Sequence, residues 1–181
     1  MSKLILKNVR LSFPSLWSTE IYNGEDTEKF AATLLIPKEE KQVAKIKQVM
    51  KEAAEEKFGK SLPKSLKWCL SDGDEKEYDG YAGHYTIKAT TKKRPTVVDS
   101  GKTPLIEDDN KIYAGCFVNA SINIWVMDNQ YGKRVLANLN GIQFVKDGPK
   151  FGSDNNALDD FDVLENDDDD VDPFGDSDIP F

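Results

Sequence analysis

The chain of 181 residues has one histidine, His84, and two cysteines, Cys69 and Cys116, far apart in sequence. Neither cysteine belongs to a C-x-x-C pair, so a disulfide framework and a thiolate zinc knuckle lack their ligands. A single imidazole gives no His-based metal site. No apolar run approaches the roughly 20 residues of a membrane-spanning helix. Met1-Ser2-Lys3-Leu4 leads into strand-like sequence, not into a basic segment with a long apolar core and a cleavage site. P-loop and dinucleotide glycine patterns are missing, as is any internal repeat. These absences describe a soluble chain of cytoplasmic type.

Basic residues are missing from residues 152–181, which carry 12 Asp and Glu. The remaining 20 acids face all 24 Lys and Arg, so a body of +4 precedes a tail of −12 within a net charge of −8. The body also holds 15 of the 18 aromatics, enough for a core. The tail has too few apolar groups to offset its own ordering entropy. The expectation is one domain over residues 1–151 and a disordered acidic tail over residues 152–181.

Periodicity marks the body as mostly strand. Residues 3–11 read as a first strand, followed by Phe13-Pro14-Ser15-Leu16-Trp17, where the proline argues for an edge or a bend. Phe30, Ala32, Leu34 and Ile36 share one face of a second strand. Over residues 38–58 the period changes: Val43, Ile46, Met50, Ala53 and Lys57 recur at three and four, Glu39 and Glu40 fall in the first turn, and Gly59 follows as a stop. That predicts an amphipathic helix. A polar loop over 71–83 contains Tyr78 and Tyr81. Strand pattern resumes at 84–91, flickers at 96–98, and closes with two strong strands over 113–127, with a bend at Gly115, and 134–145. The fold class is mainly β, an OB-like barrel of five to six strands with one inserted amphipathic helix, although other α+β folds share this count.

Two strand faces are candidates for binding. Val118, Ala120, Ile122, Ile124 and Val126 form an unbroken apolar face, opposite Phe117, Asn119, Ser121, Asn123, Trp125 and Met127. The second face must be solvated, covered or used. Along 84–92 the polar side is basic and runs into Lys93 and Arg94, and Lys133 and Arg134 follow Tyr131. Aromatics interleaved with cations suit single-stranded nucleic acid, since stacking contributes about 1–3 kcal/mol per base and the cations track phosphates. The candidate phosphate contacts are Lys88, Lys92, Lys93, Arg94 and Arg134. The candidate stacking residues are Trp17, Trp125 and Tyr131. Each basic run taken alone reads more readily as a solvated surface, and Trp125 equally well as packing under a loop.

The tail ends Asp176-Ser177-Asp178-Ile179-Pro180-Phe181. A purely solubilising tail has no use for an apolar tip, whereas a basic pocket on a partner could take the Phe181 ring and pair its carboxylate. This terminus resembles the tip of bacterial single-stranded DNA-binding proteins, Asp-Asp-Asp-Ile-Pro-Phe, with Ser177 in place of an acid. The resemblance implies docking of replication, recombination and repair enzymes through Asp176, Asp178, Ile179, Pro180 and Phe181. The body segments Tyr85-Thr86-Ile87-Lys88-Ala89, Arg94-Pro95-Thr96-Val97-Val98-Asp99, Tyr113-Ala114-Gly115-Cys116-Phe117-Val118-Asn119-Ala120-Ser121-Ile122 and Leu139-Asn140-Gly141-Ile142-Gln143 resemble a phage-encoded family of single-stranded DNA-binding proteins with an OB-like fold. That implies single-stranded DNA as ligand and a bacterial host cytoplasm. The predicted helix follows the second strand, whereas a typical OB fold places it between strands three and four. Either residues 13–17 supply an extra strand or the barrel is modified.

No catalytic constellation emerges. His84 with Cys69 or Cys116 would be a thiol nucleophile and base without a loop-to-helix setting. Asp72, Asp74 and Glu75, or Glu107, Asp108 and Asp109, could hold Mg²⁺ for a nuclease. The expectation is a non-enzymatic protein with no cofactor and no metal, no membrane association, and a homodimer left open. The rivals are a Mg-dependent nuclease and an acidic-tailed chaperone or adaptor without DNA affinity.

Overall fold

The computed structural model describes residues 2–78, 80–151 and 163–164. The docking residues Asp176, Asp178, Ile179, Pro180 and Phe181, and the expected disorder of residues 152–181 apart from 163–164, lie outside the described residues. In chain order the strands are β1 (Ser2–Ser15), β2 (Ile21–Tyr22), β3 (Glu25–Asp26), β4 (Phe30–Pro37), β5 (Leu70–Asp72), β6 (His84–Thr91), β7 (Thr96–Val98), β8 (Phe117–Asn129) and β9 (Gly132–Lys146), with helix α1 (Gln42–Phe58) between β4 and β5.

Alternation of small and branched apolar residues builds the barrel. Leu4, Leu6, Leu34, Ile36, Ile87, Ala89, Val118, Ile122, Ile124 and Leu139 all point inward and are buried. The sheet runs β5-β6-β4-β1-β8-β9-β7, and a parallel pairing of Ala89 with Ala137 and Thr90 with Asn138 joins β6 to β9. Five strands therefore close a ring in the order β1-β4-β6-β9-β8, the OB-like barrel the sequence predicts. β5 and β7 are short additions to it.

The long first strand turns the corner by two irregularities. Its register slips between Leu6 and Val9 against β8 and between Ser12 and Ser15 against β4. Positive φ at Asn8 (53°) and Phe13 (43°) marks each place, as bulges that bend a strand do. Residues 13–17 thus supply no extra strand, because β1 simply continues to Ser15.

The barrel is instead modified in its connections. α1 links the second and third barrel strands and plugs the barrel with Val43, Ile46, Met50 and Ala54. The ridge continues through Ala54 rather than through Ala53 and Lys57. Glu39 and Glu40 precede the helix in a turn in which Glu40 N donates to Pro37 O at 3.1 Å, so they are not in its first turn. β8 begins at Phe117, because Gly115, at φ +114°, turns the chain where a Cβ would strike the Pro149 carbonyl. No helix among the described residues is long and apolar enough to cross a membrane.

Candidate nucleic-acid interface

The outer side of β4 and β6 carries one hollow, and a second lies where the end of β6 meets β9 and β8. The first, of about 580 Å³, lies under the 73–83 loop and the segment between β1 and β4, and is lined by Phe13, Glu20, Tyr22, Thr33, Tyr78, Tyr81 and Lys88 among others. Three aromatic rings meet at its wall. The Phe13 and Tyr78 centroids are 5.1 Å apart at 77°, and Tyr78 and Tyr81 are 5.1 Å apart at 58°. Tyr81 is buried, its hydroxyl 2.8 Å from Ser12 Oγ, and burial raises its pKa. Phe13 and Tyr78 stay 56% and 55% exposed. Apolar rings in water with one member locked in place form a rigid stacking surface.

The second hollow, of about 490 Å³, is lined by Lys29, Thr90, Thr91, Lys92, Lys93, Trp125 and Asn138. Trp125 reaches it from the outer face of β8, where it pairs in register with Leu136 while Ile124 is buried inside the barrel. Lys88 and Lys92 lie four residues apart along one side of the third barrel strand and its end, a spacing of about 13 Å.

The expected site residues therefore separate. Lys92, Lys93 and Trp125 come together in the second hollow, and Lys88 lines the first, its Nζ 2.8 Å from Glu20 Oε1. Arg94 Nη2 donates to the Trp17 carbonyl at 3.0 Å, and the Trp17 ring packs against the core while remaining partly exposed. Tyr131 is 76% exposed at the tip of the β8–β9 hairpin. Arg134 opens β9 beside Lys67, with its Nε buried and without a hydrogen-bond partner. Tyr131 and Arg134 line neither hollow.

Sequence reasoning missed Phe13, Glu20, Tyr22 and Lys29. Tyr78 and Tyr81 were visible as aromatics in a polar loop, which is the signal that could have assigned them. The remaining outer face of β8 satisfies itself: Asn119 Nδ2 donates to Gln143 Oε1 at 3.0 Å, and Asn123 Nδ2 to Asn140 Oδ1 at 3.3 Å.

Among the described residues, several members of the enzymatic alternatives are otherwise engaged. Lys38 Nζ sits 2.7 Å from Asp72 Oδ1 and 2.6 Å from Asp74 Oδ2, where a cation would have to lie. Hydrogen bonds from Lys38 hold both carboxyls below the usual range. Asp109 caps its own 3-10 turn by accepting from Ile106 N at 2.8 Å. Burial pushes the Cys69 thiol up to about 12 and raises that of Cys116, which keeps both protonated and poorly nucleophilic. Among the described residues no three His, Cys, Asp or Glu side chains are grouped to hold a metal.

The chain is similar to known phage proteins. A curated relative, putative protein p50 of Acyrthosiphon pisum secondary endosymbiont phage 1, is 40% identical over 173 residues, spanning 90% of this chain and 94% of that protein. The solved structure of the single-stranded DNA-binding protein from bacteriophage Enc34 in complex with ssDNA superposes with a TM-score of 0.71 at 32% identity, covering 83% of this chain and 90% of that one. The structure of gp2.5, a single-stranded DNA-binding protein encoded by bacteriophage T7, shares the fold at a TM-score of 0.56 and 17% identity, over 91% of this chain and 96% of that one. The model of the family described as Enterobacter phage Enc34, ssDNA-binding protein, matches residues 2–172, and the chain belongs to that family.

Proposed function

We propose that this protein sheathes single-stranded DNA without sequence preference, laying the strand across the outer face of β4 and β6. The observation that carries this reading is the pair of hollows, one lined by the exposed Phe13 and Tyr78 with Lys88 and the other by the partly exposed Trp125 with Lys92 and Lys93. Every base has a π-face, so rings give sequence-tolerant stacking, and lysines placed beside them neutralise the connecting phosphates. This side of an OB barrel, with the loops after its first and fourth strands, is the usual seat of oligonucleotides. Those loops here carry Trp17 and Tyr131. Lys88, Lys92, Lys93, Arg94 and Arg134 are the proposed phosphate contacts, and Phe13 and Tyr78 join Trp125 as stacking residues. The relative solved with ssDNA bound supports the same ligand.

In this reading residues 1–151 hold DNA, and the acidic tail with its Ile179-Pro180-Phe181 tip recruits replication and recombination enzymes. The tip's resemblance to the bacterial docking peptide supports the second role. The binding test is a titration of labelled poly-dT and of a duplex, with and without Mg²⁺, following both mobility and substrate integrity. Preferential binding of the intact single strand is expected. Equal affinity for duplex overturns the reading, and Mg-dependent loss of substrate points to a nuclease. Removing Phe181 alone should abolish docking of a bacterial enzyme that takes such tips while leaving poly-dT binding intact.

A further inference from the structure

An acid stands in the middle of this basic surface. Glu20 Oε1 lies 2.8 Å from Lys88 Nζ, and the glutamate side chain is 19% exposed against 50% for the lysine. Both line the hollow walled by Phe13 and Tyr78. A strand whose bases stack on those rings must place a phosphate near Lys88, yet the ammonium already holds a carboxylate.

The carboxylate is not needed to close the loop on which it sits. Glu20 N donates to Lys29 O at 2.7 Å, and Glu20 O accepts from both Thr27 N and Thr27 Oγ1 at 2.9 Å. Three bonds pin the neck of the segment that carries β2 and β3, whatever the side chain does. Solvent-accessible ion pairs contribute little to stability, so opening this one costs the fold little. A phosphate oxygen and a carboxylate oxygen make the same kind of charge-assisted bond to an ammonium. On the reading that the β4–β6 face carries the strand, we infer that Glu20 stands in for a DNA phosphate on Lys88 in the free protein. The pair is then electrostatically neutral toward DNA, and Glu20 is the residue that holds affinity down at this point of the track.

The test is a poly-dT titration on the full chain at several salt concentrations. Glu20→Gln keeps the shape and a carbonyl that still accepts from Lys88, but removes the competing charge. It should tighten binding about threefold or more at low salt and steepen the dependence of log K on log salt by about 0.7, the contribution of one further neutralised phosphate on a single strand. In a Lys88→Gln background the same change should alter affinity less than twofold and leave the slope where it was. Glu25→Gln, which neutralises an exposed acid of the same segment, should also stay within twofold. Unchanged or weaker binding by Glu20→Gln, an equal gain in the Lys88→Gln background, or an equal gain from Glu25→Gln would each overturn the inference. Failure of the unmodified chain to bind poly-dT would instead overturn the reading of the face itself.

Discussion

The Arg10 guanidinium lies 4.1 Å from the centroid of the Phe151 ring and donates to the Pro149 carbonyl and, through Nε at 3.1 Å, to that of Gly115. One side chain in the middle of β1 thereby ties the turn before β8 to the segment after β9. The Phe151 ring covers Gly80, where a Cβ would collide with it. Phe151 is thus anchored beside the loop that carries Tyr78 and Tyr81.

That anchor makes the first prediction. Phe151→Ala removes a half-buried ring and its cation–π contact, and should cost about 1–2 kcal/mol of stability. Gly80→Ala should cost more, because it drives a methyl into the ring at a backbone φ of +81°. Urea titrations of both variants check the order. Equal midpoints for Phe151→Ala and the unmodified chain would show that the anchor is idle.

The second prediction is a pH dependence from Lys38. Hydrogen bonds to Lys38 hold the Asp72 and Asp74 carboxyls below their ordinary 3.8, and the two aspartates raise Lys38 above its ordinary 10.5. A depressed carboxyl contributes stability above its unfolded pKa and loses it as pH falls through the folded value. A raised ammonium contributes below its unfolded pKa and loses it as pH rises through the folded value. The clamp is therefore complete between about pH 4 and pH 10 and fails at either end. Lys38→Met should lower the urea midpoint at neutral pH and shrink the further fall between about pH 4 and pH 2. A variant whose acid limb matches that of the unmodified chain would exclude the clamp as its cause.

These tertiary ties mark the boundary of what the sequence carries. The inward alternation of Val118, Ala120, Ile122 and Ile124 and the helical spacing of Val43, Ile46 and Met50 are local patterns, and both elements form where those patterns place them. The start of α1 is not local in this way, since Lys41 at its N-cap makes no side-chain cap bond. β2, β3 and β5 are two or three residues long and exist only through their partners. Barrel closure rests on two residue pairs between β6 and β9, which no single segment announces. In the site, Lys92-Lys93 is legible because the charges are adjacent in the chain. The wall of Phe13 and Tyr78 joins residues from separate loops, and Glu20 reaches Lys88 across 68 positions. Periodicity reports which side of an element faces the core, but not which loops fold over the other side.

A third prediction concerns the thiols. With Cys69 pushed up to about 12 and Cys116 also raised by burial, neither forms appreciable thiolate in the folded chain at mildly alkaline pH. Iodoacetamide or a disulfide reagent at about pH 8 should leave the native protein unmodified, and both thiols should react once the chain unfolds in urea. Rapid stoichiometric labelling of either cysteine in the native state would reopen the thiol chemistry that their burial argues against.

The fourth prediction separates stacking from charge at the second hollow. Trp125 stands on the outer face of β8 beside Lys92 and Lys93, with its neighbour Ile124 fully inside the barrel. Truncating Trp125 to Ala should leave melting within a few degrees of the unmodified chain. It should weaken poly-dT binding by about 1–3 kcal/mol, or roughly five- to 150-fold, with the salt slope retained. Lys92→Ala should do the opposite, with a smaller loss of affinity and a slope flattened by about 0.7. Tyr78→Ala should behave like Trp125→Ala, because its ring is exposed and held in place by the buried Tyr81. The paired readouts make the test decisive: an affinity loss that tracks a fall in melting temperature would assign the Trp125 ring to packing, and an unchanged affinity in a folded Trp125→Ala chain would remove the second hollow from the path of the strand.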